Sequence, residues 1–257
     1  MAAKKQAASK KKTSPSNVIS NPAESLQTFD LVDLQQYTQE ETYATTASKD
    51  FHLFYVGRDD VHDILKHILS RVSVSLYMNM FGYDDDELND IIMTIAHDKT
   101  ISMLITLDKS QAGGKHEKAL LDSDVAKNPS LFNTSITTAE QSANLVAQRF
   151  VIGQSATHQI SHTKGFVADG KVGAEGSTNW SSSGEGTFVV AGKAGGPNYK
   201  AQNNTQSVFT DPDTISRFSA ELVREHLAAA AQAGGTKASK APAPPAAAKK
   251  KAATVAA

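Results

Sequence analysis

Between residues 51 and 107 the hydrophobic pattern switches repeatedly between strand and helix periods, and that alternation leaves very few folds open. Phe51-His52-Leu53-Phe54-Tyr55-Val56 is an apolar run of strand length. Asp59 and Asp60 then precede Val61, Ile64, Leu65, Ile68 and Leu69, a spacing that predicts a helix with acids near its positive N-terminal end. Val72 to Phe81 reads as a second strand. Asp84-Asp85-Asp86-Glu87 opens a second helix carrying Leu88, Ile91, Ile92 and Ile95, and Ile101 to Leu107 is a third strand. Strand, helix, strand, helix, strand in this rhythm predicts α/β layering with parallel pairing.

The remainder is more mixed. Phe29, Leu31 and Leu34 predict a short helix packed against the domain. Asp108-Lys109-Ser110-Gln111 closes the third strand, and Gly113-Gly114 breaks the chain before a helix around 116–122. The segment 125–137 reads as a loop, and Ala139 to Gln148 as a helix running into Phe150-Val151-Ile152. Beyond residue 180, Thr187 to Val190 and Gln206 to Thr210 read as strands around a Gly-rich insertion. Asp211-Pro212-Asp213 starts a helix with Ile215, Phe218, Leu222 and Leu227.

Ten of the 26 basic residues are lysines in the two ends, residues 1–17 and 233–257, which contain no acid. The 16 that remain in residues 18–232 face 27 acidic ones, so an acidic body carries two basic tails and the formal net charge of −1 conceals both. The tails are too poor in apolar residues to offset the entropy of ordering, and are predicted to be disordered. Such tails attract polyanions, either nucleic acid or an anionic membrane surface. With no Cys there is no thiolate metal site or disulfide framework. No run is long enough to span a bilayer and no apolar segment follows the N-terminal lysines, which favours a cytoplasmic location.

The chemistry concentrates in His162-Thr163-Lys164 and in Gly176-Ser177-Thr178-Asn179. Alternate strand residues share a face, so His162 pairs with Lys164 and Ser177 with Asn179. Between them Asp169-Gly170 predicts a two-residue type I′ turn. Pairing 168 with 171 sets 162 opposite 177 and 164 opposite 175. Imidazole, ammonium, hydroxyl and amide groups would then converge, a set able to hold a phosphate and attack it.

The pattern His162, Lys164, Asp169, then Gly176-Ser177-x-Asn179 resembles the His-Lys-Asp signature of the phospholipase D superfamily, in particular its single-motif bacterial endonucleases. The resemblance covers residues 50–228. It implies a single phospholipase D-like domain with a mixed, largely parallel sheet flanked by helices. It implies a phosphodiesterase with no cofactor or metal, with His162, Lys164, Ser177 and Asn179 catalytic and a phosphohistidine on His162. Two motifs form one site in this family, so one motif per chain implies a homodimer with a shared active site. Relatives carry an acid that orients the imidazole, where this chain has Gln206. Asp169 is expected to be structural. Glu175, opposite Lys164 in this register, would hold that lysine before substrate arrives or simply face solvent.

Two decoys are set aside. His116-Glu117-Lys118 lacks both the downstream acid, being Ser123 at that position, and a Gly-Ser-x-Asn run. His158 and His162 have no Cys or acid cluster nearby to complete a metal site. Three functions remain open: an endonuclease on DNA or RNA, a phospholipase D acting on lipid headgroups, and a non-catalytic nucleic-acid or membrane adaptor.

Overall fold

The computed structural model describes residues 25–38, 48–98, 100–111, 114, 116, 150–155, 157, 159–190, 192 and 196–233. Both basic tails and the elements expected within 117–149 lie outside the described residues.

Seven strands form one sheet: β1 (Phe51–Tyr55), β2 (Ser75–Met80), β3 (Ser102–Asp108), β4 (Phe150–Gly153), β5 (Lys164–Ala168), β6 (Val172–Gly176) and β7 (Thr205–Phe209), in the order β1-β7-β6-β5-β2-β3-β4. Helices α1 (Val61–Leu69) and α2 (Asp86–His97) follow β1 and β2, as the periodicity predicts. Their acidic starts are true caps: Asp60 accepts from Asp63 N at 3.1 Å and Asp85 from Leu88 N at 2.8 Å. Two short helices, α3 (Ser182–Glu185) and α4 (Thr187–Val190), precede β7, and the long α5 (Pro212–Ala233) follows it.

The mixed α/β expectation holds, with one correction: only β2–β3 and β3–β4 are parallel, and the other four pairings are antiparallel. β1 still runs in the same direction as β2, but β5, β6 and β7 are inserted between them. Local periodicity reports which face a residue takes, not which strand lies alongside. A second correction concerns Thr187 to Val190, which is helical. Four consecutive β-branched or aromatic residues favour a strand only where a sheet edge accepts them.

The sheet separates two apolar layers. Leu76, Met78 and Met80 of β2, Phe166 of β5 and Val208 of β7 pack with Ile64, Leu65, Ile68, Leu88 and Ile92 of α1 and α2 in the main core. On the opposite face Val167 and Phe209 meet Ile215, Leu222 and Phe218 of α5. α5 also places His226 Nδ1 3.0 Å from the Thr106 hydroxyl of β3, so its packing is partly polar.

The N-terminal segment docks as expected, as 3-10 turns at Leu26–Thr28 and Leu31–Tyr37, with Leu26, Leu31 and Leu34 buried. The Tyr37 hydroxyl lies 3.0 Å from Nδ1 of His67 on α1. Burial, helped by the Arg71 charge, lowers the His67 pKa to about 4. The unfolded chain therefore takes up the extra proton: this contribution to stability is complete above pH 6.5 and is lost as pH falls toward 4. Urea unfolding at pH 7 and pH 5 should show wild type losing on the order of 2 kcal/mol more than His67→Gln over that interval.

Candidate functional site

All the predicted catalytic residues lie at one end of the sheet. β5 runs antiparallel to β2 and β6, so the C-terminal ends of β2, β3 and β6 meet the N-terminal ends of β5 and β7 there. His162 enters β5, Ser177 and Asn179 leave β6, and Gln206 lies near the start of β7.

The hairpin is built on the predicted turn, with a changed register. Asp169 and Gly170 both have positive φ, 53° and 62°, and Lys171 N donates to Ala168 O at 3.0 Å. Yet Ala168 pairs with Val172 and Gly165 with Glu175, so Lys171 is an extra residue on the outgoing strand. The expected pairs 162–177 and 164–175 are thereby displaced by one residue. Glu175 shares the face of Gly165 rather than that of Lys164. It is exposed, and no ion pair joins it to Lys164 among the described residues, although its charge partly supports the ammonium.

Lys164 is 3% exposed. Its Nζ donates to the carbonyl of His162 at 2.8 Å and lies 4.9 Å from the centre of the Phe81 ring. Burial lowers its pKa, and the Glu175 charge opposes that shift. The exposed His162 ring stacks at a tilt on the same Phe81, with centroids 4.6 Å apart. An imidazole facing solvent is thus backed by an aromatic ring and a desolvated ammonium.

Ser177 is less available than its position in the motif suggests. Its hydroxyl donates to Asn204 Oδ1 at 3.2 Å and accepts from Thr205 N at 3.0 Å, tying β6 to β7. Asn179 lies across Gly82, where a Cβ would meet its carboxamide carbon at 2.8 Å. Only glycine permits that approach. The Asn179 Oδ1 is buried without a hydrogen-bond partner. An open pocket of 560 Å³ lies alongside, walled by Phe81, Gly82, Asp84, Ser110, Asn179 and Trp180 among others.

Gln206 pairs with Gly176 and takes the Lys164 face of the sheet. It is 1% exposed; its Nε2 donates to Ser207 O at 3.3 Å, while Oε1 has no partner. A neutral amide at this position cannot offset an imidazolium by charge. Asp169 lies in the turn at the far end of the hairpin. Its carboxylate accepts from the backbone N–H groups of Ser73, Val74 and Ser75 and from the Ser73 hydroxyl at 2.8–3.1 Å, pinning the turn to the start of β2.

Sequence reasoning missed the supports. Asp108, 1% exposed, accepts from Ser161 N at 2.6 Å and from Ser110 N at 2.8 Å. The Ser161 hydroxyl is bonded to the buried Asn79 carboxamide at 2.8 and 3.0 Å. Together these fix the backbone immediately before His162. The available signal was Asn79, an amide inside the otherwise apolar run of β2. Phe81 carried no signal, because a strand-end aromatic reads as core. Of the two decoys, His116 lies 2.9 Å from Asp86 Oδ1 while Glu117 and Lys118 fall outside the described residues, as does His158.

No family model and no curated protein matches the chain. Among solved structures it is similar to Nuc, a phospholipase D family member from Salmonella typhimurium, with 12% identity over 68% of this chain and 92% of that one and a TM-score of 0.44. It is also similar to NucT from Helicobacter pylori, with 13% identity over 68% of this chain and 94% of that one and a TM-score of 0.40. A third is phosphatidylserine synthase from Haemophilus influenzae, with 10% identity over 68% of this chain and 39% of that one and a TM-score of 0.41. No helix among the described residues is long and apolar enough to cross a membrane.

Proposed function

We propose that this chain is a phosphodiester hydrolase of the phospholipase D type, acting on nucleic acid through His162. The supporting observation is the grouping of an exposed imidazole and a buried ammonium on one aromatic ring, at the sheet end that also carries Asn179. In the proposed reaction a neutral His162 ring nitrogen attacks phosphorus. A P–N bond forms, the P–O bond to the leaving group breaks, and a second imidazole protonates the leaving oxygen. Water then attacks the phosphohistidine, its proton passing to that second imidazole, and His162 is regenerated. Lys164 and Asn179 would stabilise charge on the non-bridging oxygens, Lys164 through its long-range field from a dry position.

The second imidazole is proposed to be His162 of another copy, making the active form a homodimer. Nucleic acid is favoured over lipid headgroups by the ten tail lysines, which hold a polyanion without needing an insertion helix. The full-length protein in excess chelator should nick supercoiled plasmid DNA and release no choline from phosphatidylcholine vesicles. Choline release without nicking would assign the same chemistry to lipid. Salt-sensitive DNA binding with neither activity would make the chain an adaptor.

A further inference from the structure

Three ionisable side chains from separate elements face one another. His62 comes from α1, Asp85 from the N-cap of α2 and Glu185 from the end of α3. One ligand atom of each lies within 4.8 Å of the others. We infer that His62, Asp85 and Glu185 form a binding site for one divalent transition-metal cation, of which zinc is the representative.

The chemistry of the set argues for this. One imidazole nitrogen with two carboxylates is a common donor set for zinc and its neighbours, whereas calcium and magnesium prefer oxygen alone. Glu185 is fully buried, at 0% exposure, and its Oε1 has no hydrogen-bond partner. Its Oε2 meets Nδ1 of His62. Asp85 divides its oxygens: Oδ1 caps α2, while Oδ2 lies 3.8 Å from the same Nδ1. Nδ1, the Glu185 carboxylate and Asp85 Oδ2 therefore converge, with Glu185 Oε1 left without a hydrogen-bond partner.

The other side of the imidazole carries the support a metal-bound histidine requires. His62 Nε2 lies 3.0 Å from Glu87 Oε2, and Glu87 is in turn held by Lys66 Nζ at 2.8 Å. A carboxylate on the distal nitrogen fixes the ring and directs the lone pair of the other nitrogen to the metal. A cation would replace the proton shared between Nδ1 and Glu185, drawing the three ligands in from their present spread. It would also clamp α3, which begins only three residues beyond Asn179 and packs Gly184 against the Asn179 carbonyl. The cation would take no direct part in the phosphoryl chemistry, but it would brace the segment that presents Asn179.

The test is zinc titration of metal-stripped full-length protein by calorimetry, with X-ray absorption of the zinc-loaded form. The expected result is one zinc per chain, coordinated by a single imidazole and oxygen atoms, together with a raised thermal midpoint. His62→Gln should weaken binding at least about 100-fold, and the solvent-facing Glu87→Gln by about 10-fold through loss of ring orientation. His162→Ala should bind zinc as wild type does, which separates this result from any outcome of the cleavage assays. If His62→Gln or Glu185→Gln does not fold, the absorption spectrum of the wild type and the Glu87→Gln affinity still decide. The absence of binding, two or more imidazoles on the zinc, or unchanged affinity in Glu87→Gln and His62→Gln would overturn the inference and leave a protonated His62 bridging carboxylates.

Discussion

Replacing His162 by alanine is expected to slow phosphodiester cleavage by at least about 10³-fold while leaving the fold intact. The two halves of that expectation rest on different observations. His162 is exposed and its ring contact is with Phe81, so removing the imidazole exposes little apolar surface and leaves the core unchanged. Its backbone is held independently, by Asp108 through Ser161 and by Lys164 through the 162 carbonyl. The thermal midpoint should therefore stay within a few degrees of wild type. The chemistry has no such redundancy, because among the described residues no other exposed imidazole lies at this end of the sheet. Single-turnover cleavage of a labelled oligonucleotide, beside a thermal melt of the same preparation, reads both quantities. Wild-type cleavage in the variant would refute the assignment of His162 as nucleophile.

The largest stability effect is expected at the other end of the same hairpin. Asp169 is 7% exposed, and its carboxylate receives hydrogen bonds from three successive backbone N–H groups and one hydroxyl at residues 73–75. These residues lead directly into β2, the strand that pairs with both β3 and β5. Asp169→Ala removes all four acceptor contacts and asks alanine to hold a φ of 53°. Together these should cost about 4 kcal/mol, partly relieved by water reaching the exposed 73 and 74 backbone. Asp169→Gly keeps the conformational freedom and loses only the hydrogen bonds, so it should be about 1 kcal/mol less damaging. Urea unfolding midpoints of the two variants check the ordering. Equal losses would mean that the left-handed backbone contributes nothing, and a loss below about 1 kcal/mol in both would mean that water replaces the carboxylate fully.

The same residue illustrates how far the sequence could be read. Asp169-Gly170 announced a turn with positive φ at both positions, because few dipeptides tolerate it, and the turn is there. What the dipeptide could not announce was Lys171 as a bulge, since one extra residue beyond a turn leaves no compositional trace. That single residue displaced the expected pairing and moved Glu175 to the face opposite Lys164. Gln206 was identified as an amide where an acid was expected, but its unpartnered Oε1 became visible only with the strands assembled. His62, Asp85 and Glu185 are separated by up to 123 positions, and each alone reads as an ordinary helix-end polar residue.

The sequence by itself determined the strand–helix alternation before the hairpin and the turn within it. Hydrophobic period, capping acids and turn dipeptides act over a few residues, so α1, α2, β2, β3 and the β5–β6 turn could all be read locally. Only the tertiary structure decided which strands are neighbours, that Phe81 backs both His162 and Lys164, and that three distant ionisable groups meet beneath α3. Those outcomes follow from long-range packing, in which burial and sheet register select among arrangements that the local pattern leaves equally open.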